Sequence, residues 1–289
     1  MWSRRAASGR TDGCVIRKVR PNGWKVNPNY DILFPSMNRK LRDWLYPFLR
    51  VRAWIRSRKF DHVVTFGYNC ELSARFFQNF KFVDSTLFSW ASGIEPDRMA
   101  HAIEHSEDIF SGEVAVPTRT FPLFRCLNTD VRAHGRASMK VWTEGEPPTP
   151  EFVEKERSEL VSRFRHLREK TLAYLKDEKS VLAILKTRTV DCAPGEANEN
   201  VLKYVRALRN IGARNVTFLA ICEEKYAGNF ATPHPDFELR TVAEYNPEDH
   251  AVNLELGDAR GWRLIFEEFR PKTIKKQAHK FKFEEDDAH

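Results

Sequence analysis

The feature that most constrains the fold is the run Val181-Leu182-Ala183-Ile184-Leu185, five apolar residues with no polar alternation. A strand half-exposed to water alternates apolar and polar positions, so an unbroken run reads as a strand covered on both faces. It does not stand alone. Glu199–Ile211 carries Val201, Leu202, Val205, Leu208 and Ile211 at helical spacing, and Gly212 supplies a C-terminal stop. Val216–Cys222 and Phe237–Ala243 read as two further strands, and Asp258–Phe269 as a closing helix that stops before Pro271. Strands alternating with helices predict an α/β fold with a mainly parallel sheet covered by helices on both faces.

The same pattern begins earlier. His62–Phe66 is a β-branched and aromatic run, hence a strand, and Glu71–Phe80 places Leu72, Phe76, Phe77 and Phe80 on one helical face. Phe82–Trp90 reads as extended and Asp97–Ile109 as a helix. Residues 111–148 show no period. Pro150 suits the first turn of a long charged helix to about Lys176, with Val153, Leu160, Phe164, Leu167, Thr171 and Leu175 as its apolar stripe.

Charge divides the chain. Residues 1–60 hold 15 Lys/Arg against three acids, a net +12, whereas the remaining 229 hold 32 against 37, a net −5. We therefore expect a basic, partly disordered N-terminal extension (1–60), an α/β domain (61–270) and a charged disordered tail (271–289). The basic charge belongs to the extension, so no nucleic-acid partner is expected. Within the extension, Leu41, Trp44, Leu45, Phe48, Leu49, Trp54 and Ile55 of segment 38–59 would line one helical face, with Pro47 expected to break or kink it. Such a segment either packs on the domain or meets an anionic membrane surface. No apolar stretch follows Met1-Trp2-Ser3-Arg4-Arg5, and none approaches the length of a membrane span, so a cytoplasmic location is expected, peripheral at most at the inner membrane face.

The cysteines, at 14, 70, 126, 192 and 222, form neither a Cys-x-x-Cys pair nor an even framework. No G-x-G-x-x-G follows the first strand, and P-loop and G-x-S-x-G motifs are missing, so no cofactor is expected. His101 and His105 share a helix face, but no third ligand stands near them in sequence and no metal site is expected.

In an open parallel sheet, chemistry gathers where strands end. The first strand runs into Gly67-Tyr68-Asn69-Cys70, the second into Arg188 and Asp191, the third into Glu223 and Glu224, and the last into Asn246-Pro247-Glu248-Asp249-His250. Cys70 would stand at a helix N-terminus, where free N–H groups and the helix dipole lower a thiol pKa and can cradle an oxyanion. His250 has the topological case for the base. His134 is slightly favoured over it, because Asp130 nearby could orient the imidazole, whereas Pro247-Glu248-Asp249-His250 also reads as a simple acidic turn.

Val63-Val64-Thr65-Phe66-Gly67-Tyr68-Asn69-Cys70, followed by Ser85-Thr86-Leu87-Phe88-Ser89-Trp90, resembles a bacterial family of unknown function described as papain-like cysteine peptidases. That family opens with a strand ending in Gly-x-Asn-Cys, followed about twenty residues later by Pro-Phe-Asp-Trp and then by a histidine. The resemblance covers about residues 61–270. It implies a cysteine hydrolase with Cys70 as nucleophile and His134 as base, and with Tyr68, Asn69 and Trp90 at the substrate. The substrate class it leaves open is peptide, acyl or glycan. Two positions depart from the family: Ser89 replaces the acid of Pro-Phe-Asp-Trp, and Gly135 replaces the acid after the histidine. Two alternatives stand beside the hydrolase. One is a thiol-dependent acyltransferase in surface-polysaccharide assembly; the other is an inactive binding module that retains the fold.

Overall fold

The computed structural model describes residues 39–66, 71–80, 84–89, 91–92, 95–115, 123–133, 149–243 and 259–272. Its elements run α1 (Arg39–Ile55), β1 (Arg58–Phe60), β2 (His62–Phe66), α2 (Glu71–Phe80), β3 (Ala91–Ser92), α3 (Pro96–Glu104), β4 (Val114–Ala115), β5 (Phe124–Cys126) and β6 (Arg132–Ala133). There follow α4 (Pro150–Lys176), β7 (Val181–Lys186), α5 (Ala197–Asn210), β8 (Val216–Glu223), β9 (Glu238–Val242), α6 (Ala259–Glu268) and β10 (Phe269–Pro271). By contacts the chain divides into residues 1–33, which lie wholly outside the described residues, and residues 34–289. Helix α1 and strand β1 thus belong to the same unit as the sheet.

The central sheet has the order β2-β7-β8-β9, every pairing parallel, in register Phe66↔Leu185 and Lys186↔Ile221. The fold is α/β, as the unbroken apolar runs require. Successive strand residues point to opposite faces, and both faces are dry. Val64, Phe66, Ala183, Leu185, Phe218 and Ala220 join the core cluster that includes α3, α4 and α5 side chains. Val63, Leu182, Ile184, Leu219 and Ile221 join Leu72 and Phe76 of α2 and Trp262, Ile265 and Phe266 of α6. Each such side chain contributes roughly 1.5–3 kcal/mol on burial.

The expected helix boundaries follow from local chemistry. Thr149 caps α4 by accepting the Phe152 N–H at 3.3 Å, and Pro150 occupies the first turn, where a missing N–H costs nothing. Gly212, at φ +79°, turns the chain out of α5, with the Ala213 N–H donating back to the Leu208 carbonyl at 3.0 Å. At the sheet's lower edge, Asp61 accepts from the Ser180 N–H and hydroxyl and from Lys272, tying the starts of β2 and β7 to the end of β10.

Four expectations are corrected. Helix α1 continues through Pro47; the residue is exposed, so the backbone hydrogen bond given up by its ring is lost where water can replace it. The expected extended run Phe82–Trp90 is interrupted: residues 87–89 form a turn. The span 111–148, which has no sequence period, holds strands β4, β5 and β6, which join β3 in an antiparallel sheet of order β3-β6-β5-β4. The expected helix 97–109 stops at Glu104 and resumes as a 3-10 turn, Ser106–Asp108. A small parallel pair, β1 with β10, was not foreseen either.

Candidate functional site

Strand β2 ends at Phe66 and α2 opens at Glu71, so Gly67-Tyr68-Asn69-Cys70 fall at a strand-to-helix junction on the carboxyl edge of the central sheet. These four residues, together with Trp90, His134 and His250, lie outside the described residues. Their flanks are described, and the flanks converge.

The turn at residues 86–89 is the first point of convergence. Its N–H groups and hydroxyls are buried, and each bond they make fixes a neighbour. The Ser89 hydroxyl accepts from the Thr86 N–H at 2.8 Å and lies 2.8 Å from the Thr65 hydroxyl and 2.9 Å from that of Thr86. The Thr65 N–H donates to the Thr86 hydroxyl at 3.3 Å, and Ser73 of α2 donates to the Ser89 carbonyl at 2.6 Å. Lys170 and Tyr174 of α4 hold Asp84, and Thr171 accepts the Leu87 N–H at 2.9 Å. The turn is thus bonded to the strand before Cys70, to the helix after it and to α4. Ser89, which stands where the resembled family has an acid, has its hydrogen-bonding capacity taken up by Thr86 in the turn, Thr65 of β2 and Ser73 of α2.

The second convergence is in the small sheet. Ala91 and Ala133 are register partners of the antiparallel pair β3–β6. Ala91 follows Trp90 and Ala133 precedes His134. The flank of His134 is therefore joined to the flank of Trp90, two residues from the Ser89 network. The Asp130 side chain is engaged within the small sheet. Its carboxylate, 7% exposed, holds Arg125 and lies 3.6 Å from Arg132.

The exits of β7 and β8 carry charge, but it is paired. Asp191, 1% exposed, accepts from the Arg188 N–H at 2.7 Å, the Arg188 guanidinium at 3.3 and 3.4 Å and the Tyr204 hydroxyl at 3.2 Å. Burial works against the Arg188 charge, and Asp191 more than offsets it, so the guanidinium is held charged above its usual range. Burial and the Asp191 carboxylate push the Tyr204 phenol well above its usual range. Glu223 lies 3.9 Å from Lys186 and 3.1 Å from Lys225. Sequence reasoning passed over Lys186 and Tyr204. The signal for Lys186 was a lysine closing an otherwise apolar strand.

The described cysteines are poor nucleophiles. Burial pushes the Cys192 thiol up to about 11, against the opposing effect of its 3.2 Å bond to the Thr187 hydroxyl. Burial, with Cys192 nearby, pushes Cys222 up to about 12. Cys126 is fully buried, its sulfur accepting the Phe110 N–H. The remaining described histidines do not gather at this edge: His62, at the start of β2, bonds Asp177 and stacks on Tyr174, His101 and His105 lie exposed at the end of α3 with their rings tilted, His166 is exposed on α4, and His234 stacks on Phe237. Among the described residues no three potential ligands gather to hold a metal ion.

The chain matches no family model, no curated protein and no solved structure.

Proposed function

We propose that this protein is a thiol-dependent hydrolase of the papain-like kind, with Cys70 as nucleophile and His134 as its base. The observation that carries the reading is the register pair Ala91↔Ala133, which brings the flank of His134 beside the turn bonded to both flanks of Cys70. In this reading His134 takes the thiol proton. The thiolate adds to an acyl carbonyl, whose π electrons move to oxygen beside the N-terminus of α2, and His134 returns the proton to the leaving group. Water then hydrolyses the thioester. Tyr68, Asn69 and Trp90 line the substrate.

The acceptor that replaces water defines the second reading, acyl transfer to a membrane-linked glycan precursor. The exposed apolar side chains of α1 favour it, because they suit a protein working in the cytoplasm at the inner face of a membrane. Among the described residues no helix is long and apolar enough to cross one.

The test is alkylation with iodoacetamide at pH 6, followed by a panel of peptides and acyl thioesters. Cys70 should react faster than an ordinary thiol at that pH, and turnover should vanish in Cys70→Ala. Equal, slow labelling of all five cysteines would leave only a non-catalytic binding module.

A further inference from the structure

Helix α1 has two apolar sides. One packs inward: Ala53 is buried, Leu45, Tyr46 and Leu49 are partly covered, Arg260 of α6 lies 5.3 Å over the Tyr46 ring, and Arg50 bonds Glu267 of α6 at 2.8 Å. The other side faces solvent. Leu41, Trp44, Phe48, Val51 and Ile55 are spaced three, four, three and four residues apart, which places them in one stripe along the helix. They are 47, 69, 67, 57 and 70% exposed, and Trp54 beside them is 64% exposed. At 100° per residue the stripe is centred nearly opposite Leu49 and Ala53, so packing on α6 turns it outward. Isolated exposed apolar residues need no explanation, but a contiguous stripe of this kind marks an interaction surface.

The charge of the helix selects the occupant. Helix α1 carries Arg39, Lys40, Arg42, Arg50 and Arg52 against Asp43 alone. A second copy of the helix would bring like charges together, and two heptads fall short of the three or four that a coiled coil needs. Residues 1–38 carry seven Lys/Arg and two acids, so they too are a poor electrostatic match. An anionic lipid surface satisfies both halves of the pattern, taking the apolar stripe into its headgroup boundary and Lys40 and Arg52, which flank the stripe at 100° per residue, against its phosphates. Trp44 and Trp54 are the residue type favoured at that boundary.

We propose that α1 is a pre-formed membrane-docking helix that lies along an anionic bilayer surface on the stripe Leu41, Trp44, Phe48, Val51 and Ile55, while α6 holds its opposite side. This rests on the membrane placement proposed above and is independent of the thiol chemistry. The experiment is sedimentation of the full chain with vesicles of phosphatidylcholine alone or enriched in phosphatidylglycerol. The full chain should pellet with the anionic vesicles and less so as salt rises. Trp44→Ala/Phe48→Ala, whose thermal melt should be unchanged because both residues are exposed, should pellet about tenfold less or worse. Equal pelleting of this variant would overturn the stripe but leave the membrane placement standing on other basic segments. No pelleting of the full chain would overturn both. So would a full-chain dimer, seen by analytical ultracentrifugation, that the double substitution converts to monomer without any vesicle binding.

Discussion

The Ser89 hydroxyl of the turn stands 2.8 Å from the Thr65 hydroxyl of β2, and the Ser89 carbonyl accepts from Ser73 of α2. One residue therefore bridges the two elements that flank Gly67-Tyr68-Asn69-Cys70. Because the bridge is buried, with Ser89 2% exposed, its bonds are not exchanged for water when one partner is removed.

Ser89→Ala leaves the Thr86 N–H and the Thr65 hydroxyl without their shared partner. We expect a loss of about 1–3 kcal/mol in urea unfolding with an unchanged slope. Because the turn is bonded to both described flanks of the junction, the proposed thiol site predicts that Cys70 alkylation at pH 6 slows in the folded variant as well. A stability loss with unaltered Cys70 reactivity would assign the turn to scaffolding alone.

Arg188 and Asp191 make a buried ion pair closed by Tyr204. Asp191→Ala strips a buried guanidinium of its carboxylate and should cost about 3–5 kcal/mol. Arg188→Met/Asp191→Leu removes both charges and should cost much less than the two single changes together, as a double-mutant cycle by chemical denaturation would report. Additive losses would mean that the pair is not coupled.

How much of this was legible follows physical lines. Strands β2, β7 and β8 and helices α4 and α5 were readable because apolar runs, a proline suited to a first turn at 150 and a glycine stop at 212 each leave a mark in sequence. The turn at 86–89 was not, since Thr86 and Ser89 look like strand residues until their hydroxyls bond to the local backbone. Strands of two or three residues, such as β3 and β6, have no period to detect, and the β1–β10 pair joins residues about two hundred positions apart. Helix α1 was expected to carry Leu41, Trp44, Leu45, Phe48, Leu49, Trp54 and Ile55 on one face. The structure divides its apolar residues between a packed side and an exposed stripe, which composition could not distinguish.

The buried thiols make stability fall as pH rises above the ordinary thiol range. An unfolded cysteine ionises near pH 8.5–9, whereas Cys192 and Cys222 hold their protons to about 11 and about 12. The folded pKa values are raised, so this stabilisation is complete below the unfolded value and is lost as pH climbs through the folded ones. Between pH 8.5 and 10 each thiol should cost about 1–2 kcal/mol of stability. Cys222→Ala should make the decline shallower, although the variant starts lower at neutral pH for lack of the buried sulfur. Urea denaturation at pH 8 and pH 10 measures the difference, and identical slopes for both proteins would refute it.

The last prediction concerns the base. His250 had the topological argument, because it follows a strand of the central sheet. In the strand order β9 stands three strands from β2, about 14 Å at ~4.8 Å per spacing, a distance that the eight residues from Val242 to His250 are long enough to cover. His134 follows Ala133, whose register partner Ala91 is two residues from Ser89, and Ser89 touches both flanks of Cys70. An imidazolium paired with the thiolate keeps a thiol reactive below neutrality, and this can be measured without knowing the substrate. In His134→Ala the alkylation rate of Cys70 should fall at pH 6 and rejoin that of the unmodified protein above about pH 9, tracing an ordinary thiol with a pKa near 8.5. His250→Ala should retain the low-pH reactivity. The opposite outcome, with reactivity lost only in His250→Ala, would return the base to the end of β9 and require residues 244–258 to fold back across the sheet edge.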